Sequence, residues 1–332
     1  MRLFIAGFGT VGQGVAEVLE SRKEFFKKRY GKNVKIVGVM DSRTYITDPE
    51  GLAPLDLVSV KTETGKVGKK TYTDALEVLD SVDYDILIEV SPTNYEDGGQ
   101  GLINITHALE CGKDVITTNK GPLAISFGKL IALAREKKCK FKFEGSVGGA
   151  MPIINLCHDL LVGENIKSIR GILNGTCNYI LSKMDSGQPY GQALKEAQQL
   201  GYAEADPAGD VEGYDSACKA VILANSVFHR DVVLSDVSIT GITGITEEAI
   251  ALAKSRNMVI RLIGEVTDTK LEVAPRLIPK GHPLAVNGTL NAAQILSDLA
   301  GPVTITGRGA GRLETASAVL SDLIAVMDNR EE

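Results

Sequence analysis

Apolar and polar positions alternate in two different ways along the chain. In residues 1–146, short apolar runs such as Leu3–Ala6, Asp85–Val90 and Asp114–Thr117 are separated by longer segments with helical spacing. Continuous apolar runs of this length are typical of strands that are buried on both faces of a sheet. Strands that alternate with helices predict a parallel arrangement, so this region is expected to form a doubly wound α/β domain.

The pattern changes after residue 146. Residues 167–173 and 258–278 are predicted to form strands of a second, more antiparallel sheet, with a turn into a helix at Asn174. A last strand is predicted over residues 303–306 and a last helix over residues 315–327. We expect this C-terminal strand and helix to return to the first domain.

Two polar stretches interrupt the first domain. Ser21–Lys32 is basic and is predicted to be a solvated helix end and loop. Asp48–Lys70 contains scattered glycine and proline residues, and it is predicted to have no regular role in the core.

A glycine-rich turn follows the first predicted strand. Gly7, Gly9 and Gly12 form a G-x-G-x-x-G motif between Leu3–Ala6 and a helical pattern that begins at Val11. The first glycine permits a tight turn, the second lets a pyrophosphate approach the backbone, and the third lets helix and strand pack closely. The motif therefore predicts a Rossmann-type sheet that binds a dinucleotide at the N-terminus of this helix. The candidate cofactor contacts are Gly7, Phe8, Gly9, Thr10, Val11 and Gly12.

Polar residues also follow the next predicted strands. An acid in the position of Asp41 binds the ribose hydroxyls of NAD, whereas an arginine such as Arg43 accommodates the 2′-phosphate of NADP. The choice between NAD and NADP therefore stays open. Asp41 can also be a plain turn residue without a role in binding. Ser91, Thr117 and Lys120 lie at the carboxyl edge of the predicted sheet, where such sheets bind ligands. The alternative for Lys120 is an ordinary exposed loop lysine.

Composition excludes several classes of function. The chain has 332 residues and a net charge of -6, so it has no global basic field for nucleic acid. It contains no tryptophan for base stacking and no apolar run of membrane-spanning length. The start shows no signal-peptide pattern, and the five cysteines are odd in number without a CxxC motif. We therefore expect a cytoplasmic protein with reduced thiols and no metal-ligand spacing among its cysteines and histidines.

The most unusual stretch is an acid-rich loop that leads into an apolar helix. Residues 217–224 are apolar on nearly every side of a helix except at Lys219, and such a helix is expected to be buried. Lysine is almost never fully buried unless it is paired, and Asp215 lies one turn earlier on the same face. The pair is either a structural ion pair or an ammonium group held in a functional site.

The residues of this stretch resemble the signature of homoserine dehydrogenase. The matching positions are Ala197, Gly201, Tyr202, Ala203, Asp206, Pro207, Asp210, Val211, Gly213, Asp215 and Lys219. The resemblance extends over nearly the whole chain and implies a short, monofunctional homodimer. It implies hydride transfer between NAD or NADP and a small amino-acid substrate, interconverting L-homoserine and L-aspartate 4-semialdehyde in threonine, methionine and isoleucine biosynthesis.

The resemblance also implies domain functions and residue roles. Residues 1–146 and 303–332 would form the nucleotide-binding domain, and residues 147–302 an α+β domain for substrate binding and dimerisation. Lys219 would exchange the proton of the reaction, and Lys120 would hold the reacting oxygen or the nicotinamide end. The implied substrate-binding residues are Glu204, Asp215, Asp210, Tyr202 and Thr176.

Two further segments resemble parts of the same family. The segment after Glu144 resembles a loop for a monovalent cation, Na⁺ or K⁺, although a helix-capping turn is an equal alternative. Its candidate ligands are Glu144, Val147, Gly149 and Met151. The C-terminal segment resembles one that contacts the cofactor at Gly311, but Arg308 and Glu314 stand where family members often have proline.

Two other functions remain as alternatives. An aspartate-semialdehyde dehydrogenase would need a thiolate nucleophile, and none of the cysteines lies in a recognisable site. A non-catalytic dinucleotide-binding sensor would bind the cofactor while Lys219 served only as a structural residue.

Overall fold

The computed structural model describes residues 1–328, and it divides the chain into two units. The first unit contains Met1–Ser146 and the chain from Gly311 onward, and the second contains Val147–Ala310.

The first unit begins with alternating strands and helices, as the apolar pattern predicts. Its elements are β1 (Arg2–Ala6), α1 (Thr10–Ser21), α2 (Lys23–Tyr30), β2 (Lys35–Met40), β3 (Thr44–Leu52), α3 (Pro54–Thr64), β4 (Lys70–Thr71), α4 (Ala75–Leu79), β5 (Ile86–Glu89), α5 (Gly99–Glu110), β6 (Asp114–Thr117), α6 (Lys120–Lys137) and β7 (Phe141–Lys142). A 3-10 turn over Glu144–Ser146 follows.

These strands form one sheet in the order β4-β3-β2-β1-β5-β6-β7. Strands β2, β1, β5, β6 and β7 are parallel, and β3 and β4 add an antiparallel edge. The central strands are mainly apolar because helices cover both faces of such a sheet. The predicted Rossmann-type α/β class is confirmed.

The structure corrects both predictions for the polar stretches. Residues 23–30 form α2, whose Phe26 is buried in the main core cluster. Residues 48–70 contain most of β3 and all of α3, and Leu57 and Val67 enter the same cluster. Each segment contributes only one or two apolar side chains to the core, so neither has the periodicity that predicts a buried element.

The second unit contains α7 (Ile153–Asn155), β8 (Ile166–Ile172), α8 (Gly175–Asp185), α9 (Tyr190–Gln199), α10 (Ala208–Val211), α11 (Tyr214–Val227), β9 (Ser238–Ile239), α12 (Glu247–Ser255), β10 (Met258–Val266), β11 (Leu271–Pro279), β12 (Leu290–Ser297) and β13 (Pro302–Arg308). A π-helical turn over Leu156–Leu160 follows α7, and a 3-10 turn over Leu234–Asp236 precedes β9. Helix α11 packs against β10 and β11, and almost all of its residues are buried.

The sheet of the second unit has the order β13-β12-β8-β10-β11-β9. Its strands pair antiparallel except for β9, which runs parallel to β11. The position of β13 corrects a predicted boundary. Leu290 pairs with Arg308 and Leu296 with Pro302, so residues 303–310 belong to the second unit and not to the nucleotide-binding domain.

The last helix, α13 (Arg312–Met327), lies in the first unit and packs on α1. Val319 and Leu323 share the core cluster with Val15 of α1. Arg312 makes a bidentate pair with Glu17, with nitrogen–oxygen distances of 2.9 and 2.7 Å.

Among residues 1–328, no helix combines the length and the apolar character needed to cross a lipid bilayer.

Candidate active site

The glycine-rich turn leaves exposed backbone at the start of α1. Gly7 has φ of +97°, and a Cβ atom there would lie 2.6 Å from the backbone of Val90 and Ser91. At Gly9, by contrast, a Cβ atom would meet nothing within 4 Å, so a ligand can approach the backbone from that side. Gly9 precedes α1 without a side-chain cap, and the first turn contains no acid. This combination fits the pyrophosphate of a dinucleotide.

The other predicted residues of this turn differ in exposure. Thr10 is exposed and Val11 is half-buried, so both lie within reach of a ligand at the helix end. Phe8 is buried in the core cluster, so a contact from this residue would come from its backbone.

The carboxylate of Asp41 is held by its own turn and by a lysine. Its Oδ1 accepts hydrogen bonds from the backbone N–H groups of Arg43 and Thr44, at 2.8 and 2.7 Å. Its Oδ2 accepts a bond of 2.7 Å from Nζ of Lys61. Burial raises the pKa of the Asp41 carboxyl, but the Lys61 ammonium and the two N–H groups outweigh burial and hold that pKa below its ordinary value.

Lys61 is a residue that the sequence did not indicate, because it lies on α3 in the stretch predicted to have no regular role. The exposed Arg43 and the half-buried Lys61 thus both lie beside Asp41 at the carboxyl end of β2. Asp41 is thus paired with the Lys61 ammonium, and an exposed arginine stands two residues after it, which are residue types that can bind an anionic ligand.

A fully buried carboxylate joins the ends of β5 and β6. Glu89 Oε1 accepts from the backbone N–H of Ser91 at 2.8 Å and from the Ser91 hydroxyl, while Oε2 accepts from Nδ2 of Asn104 at 2.8 Å. The hydroxyl of Thr117 donates to the backbone carbonyl of Glu89 at 2.9 Å. Burial raises the pKa of the Glu89 carboxyl above its ordinary value. The hydrogen bonds from Asn104 and Ser91 lower this pKa, but burial has the larger effect. The predicted residues Ser91 and Thr117 therefore both contact Glu89, Ser91 at its carboxyl group and Thr117 at its backbone carbonyl.

Lys120 begins α6, directly after this junction. Asn119 caps the helix, because its Oδ1 accepts from the N–H of Gly121 at 3.2 Å. Nδ2 of Asn119 donates to the Ser91 hydroxyl oxygen at 3.3 Å, so the residue before Lys120 is tied to the end of β5. Lys120 itself is half-buried.

Lys219 is a buried ammonium in the second unit, and its side chain is only 9% exposed. Nζ donates to Oδ2 of Asp215 at 2.7 Å and to the backbone carbonyl of Leu173 at 2.6 Å. An ammonium has three donors, so one remains for a ligand. The predicted pairing of Lys219 with Asp215 is present.

Asn174 connects this pair to a second acid. Its Nδ2 donates to Oδ1 of Asp210 at 2.7 Å and to Oδ2 of Asp215 at 2.9 Å, and its Oδ1 caps α8 by accepting from the N–H of Cys177 at 2.8 Å. Burial and the charge of Asp215 raise the pKa of the Asp210 carboxyl. Asn174 thus serves both as a helix cap and as the link between the two acids.

The remaining substrate candidates are Tyr202 and Glu204 of the acid-rich loop and Thr176 of α8. The hydroxyl of Thr176 donates to the backbone carbonyl of Tyr202 at 2.6 Å, and the ring of Tyr202 packs against Tyr179. Glu204 is exposed, and its carboxylate makes no hydrogen bond with the other residues that the structure describes. The structure therefore brings together Asp210, Asp215 and Lys219, but not Glu204.

The candidate cation ligands are divided between the two units. Glu144 is buried in the first unit, and its N–H donates to Oδ2 of Asp322 at 3.0 Å. Val147, Gly149 and Met151 belong to the second unit, where the Met151 carbonyl accepts from the N–H of Ile153 at 2.9 Å.

Gly311 was predicted as a cofactor contact. It precedes α13 with φ of +143°, where a Cβ atom would collide with the side chain of Glu314. The position thus favours glycine for its backbone conformation, whereas the Glu314 side chain is flexible enough to move aside.

A parallel sheet with a ligand-accessible glycine turn, together with a buried lysine that has one available donor, defines a dinucleotide-dependent oxidoreductase. Residues 7–144 match the family model for the NAD-binding domain of homoserine dehydrogenase, and residues 152–324 match the model for homoserine dehydrogenase. The chain belongs to the homoserine dehydrogenase family. It is an NAD(P)-dependent oxidoreductase that interconverts L-homoserine and L-aspartate 4-semialdehyde.

Individual relatives agree over the full length. The homoserine dehydrogenase of Methanocaldococcus jannaschii is 46% identical, with 100% of both chains covered. The NAD(+)-dependent homoserine dehydrogenase of Pseudomonas canavaninivorans is 39% identical over 98% of this chain and 96% of its own. A solved structure of a hyperthermophilic archaeal homoserine dehydrogenase in complex with NADPH has a TM-score of 0.87 and 30% identity, covering 100% of this chain and 98% of the other. The predicted family and enzyme class are confirmed.

Proposed function

We propose that Lys219 is the acid–base residue of the reaction. When the aldehyde is reduced, its ammonium donates a proton to the oxygen as hydride reaches the carbon, and in the reverse direction the neutral amine accepts the hydroxyl proton. The observation that carries this proposal is the buried ammonium held by Asp215 and Leu173 with one donor remaining. Two fixed acceptors orient that donor, which is what a positioned proton carrier needs.

The acids around Lys219 suit a substrate with an α-ammonium group. Asp210 is half-buried and shares Asn174 with Asp215, so its carboxylate is fixed while one side stays accessible. We assign Asp210 and Asp215 to the substrate ammonium, with Tyr202 and Glu204 of the acid-rich loop and Thr176 of α8 as outer contacts. Glu204 would have to turn inward from its exposed position to take part.

The first unit would hold the cofactor through its own polar groups. The N-terminus of α1 would bind the pyrophosphate, and Ser91, Thr117 and Lys120 would line the nicotinamide end. When bound, the nicotinamide accepts or donates the hydride. Arg43 and Lys61 would bind the 2′-phosphate of NADP, because Lys61 pairs with Asp41 and the exposed Arg43 lies in the same turn.

Three further properties belong to the same proposal. The enzyme works as a homodimer in the cytoplasm, where Cys111, Cys139, Cys157, Cys177 and Cys218 stay as free thiols. Glu144 contributes a carboxylate to a site for a monovalent cation, since oxygen ligands suit such an ion.

The direct test is a spectrophotometric assay. L-Homoserine with NAD or NADP at mildly alkaline pH should produce reduced nicotinamide, and L-aspartate 4-semialdehyde should consume it. Cofactor binding without any turnover of either substrate would contradict the assignment of Lys219 and favour a sensor.

A further inference from the structure

Three side chains of metal-ligand type converge on the surface of the first unit. Asp80 caps the C-terminus of α4, His107 lies in the last turn of α5, and Cys111 caps the C-terminus of α5. Nε2 of His107 lies 2.8 Å from Oδ1 of Asp80 and 3.8 Å from Sγ of Cys111. The three ligand atoms all lie within 4.8 Å of one another.

This cluster corrects the expectation that no cysteine or histidine has metal-ligand spacing. His107 and Cys111 are four residues apart at the end of one helix, which places both side chains on the same face. The expectation failed because Asp80 comes from another helix, and local spacing does not reveal such a partner.

The arrangement differs from that of an activated thiol. A histidine that activates a nucleophile uses one ring nitrogen for the nucleophile and the other for the orienting acid. Here Asp80 and Cys111 both face Nε2 of His107, so the imidazole cannot relay a proton between them. Three different donor atoms that surround one point are instead the arrangement of ligands around an ion.

The distances are close to those of a zinc site. With Zn–N, Zn–O and Zn–S bonds of about 2.0–2.3 Å in tetrahedral geometry, neighbouring ligand atoms lie roughly 3.3–3.7 Å apart. The observed 2.8 and 3.8 Å therefore require only small movements of side chains. Such movements are cheap at the surface, where the side chain of Asp80 is 62% exposed and that of His107 is 20% exposed.

The surrounding charges also favour a cation. Two of the three ligands, Asp80 and Cys111, are C-cap residues, so the negative ends of two helices lie beside the cluster. The nearby Lys113 is paired with Asp83 at 2.9 Å and lies over the ring of Tyr84, so its charge is largely compensated.

We propose that Asp80, His107 and Cys111 form a binding site for Zn²⁺ or a similar transition-metal ion, with water in the fourth position. One oxygen, one imidazole nitrogen and one thiolate suit this class of ion, whereas Mg²⁺ and Ca²⁺ prefer oxygen ligands only. The ion links the C-termini of α4 and α5. The site is independent of hydride transfer, because Cys111 precedes the amino end of β6 while Thr117 lies at its carboxyl end.

The test uses the full chain with Co²⁺ as a spectroscopic substitute for Zn²⁺. One equivalent of Co²⁺ should produce a thiolate-to-metal charge-transfer band, and Zn²⁺ should displace it. Cys111→Ser should abolish the band, and His107→Gln should weaken metal binding by at least about tenfold. Cys139→Ser is the matched control, because Cys139 is the half-buried cysteine of the same unit, and this variant should keep the band.

A second measurement follows the thiols by mass spectrometry. Zn²⁺ should slow alkylation of Cys111 and leave that of Cys139 unchanged. If His107→Gln does not fold, Asp80→Asn provides the same comparison at an exposed position and should also weaken binding. Retention of the band in Cys111→Ser, or equal metal affinity of wild type and both ligand variants, would overturn the proposal.

Discussion

Replacing Lys219 by methionine should abolish most turnover while keeping most of the side-chain volume in the apolar helix. A positioned acid–base group contributes roughly 10²–10⁴-fold, which corresponds to about 3–5 kcal/mol of transition-state stabilisation. We expect kcat to fall by that factor in both directions. Lys219→Arg should not restore it, because arginine is not deprotonated in proteins.

The structure also predicts a cost in stability that must be separated from catalysis. The ammonium of Lys219 lies 2.7 Å from Asp215, and both residues are only 7% exposed. Removing one partner of a buried ion pair costs about 3–5 kcal/mol, because the other charge stays buried. The double variant Asp215→Asn with Lys219→Met removes both charges, so it should recover much of the free energy of unfolding without recovering activity.

The assay measures three quantities on each folded variant: kcat in both directions, the cofactor Kd by nicotinamide fluorescence, and the free energy of unfolding in urea. Cofactor Kd should stay close to that of wild type. Near-normal kcat in Lys219→Met would refute the assignment. Recovery of both stability and turnover in the double variant would show that Lys219 serves only as a structural residue.

Three other predictions concern the remaining polar clusters. Arg43→Ala and Lys61→Ala should each raise the KM for NADP about tenfold more than that for NAD, because the phosphate loses a charged hydrogen-bond donor; equal losses would show that neither residue contacts it. Burial raises the pKa of Glu89 above its ordinary value of 4.5, so folding favours the protonated form and stability is lost as pH rises through the raised pKa. Relative to Glu89→Gln, wild type should therefore lose unfolding free energy as the pH rises above 4.5, and the opposite trend in urea titrations would contradict this reasoning. Arg261→Met should lower the free energy of unfolding in urea by up to about 3–5 kcal/mol, because the fully buried guanidinium pairs with Asp185 at 2.6 Å. A decrease no larger than that of a surface substitution would show that this pair is not needed for stability.

The parallel sheet could be predicted because its strands are apolar on both faces and therefore visible as continuous runs. The partner of β13 could not be found in this way, because its apolar pattern is equally compatible with either sheet. A signal was nevertheless present: Gly301 has φ of +70° and stands between β12 and β13, and a short glycine-containing turn between two strands favours a hairpin. Reading that turn would have placed residues 303–310 in the second unit.

The same limit applies to the cluster around Lys219. Lys219 and Asp215 could be paired from sequence because a helix brings residues four apart together. Asn174 and the Leu173 carbonyl lie more than forty residues earlier, at 41 and 46 positions from Asp215 and Lys219 respectively. They meet the lysine only because the end of β8 lies beside α11, and this contact is tertiary.

Asp41 shows why a local motif can be correct while its interpretation is incomplete. An acid at the end of the second strand predicts NAD because a free carboxylate binds the ribose hydroxyls and repels a 2′-phosphate. In this structure the Asp41 carboxylate is neutralised by Lys61, and Arg43 contacts it through the backbone N–H. The acid that would repel a 2′-phosphate is therefore already paired with a lysine, so its presence alone does not predict that NADP is excluded. Lys61 comes from a helix that the apolar pattern does not reveal, so this pairing could be obtained only from the fold.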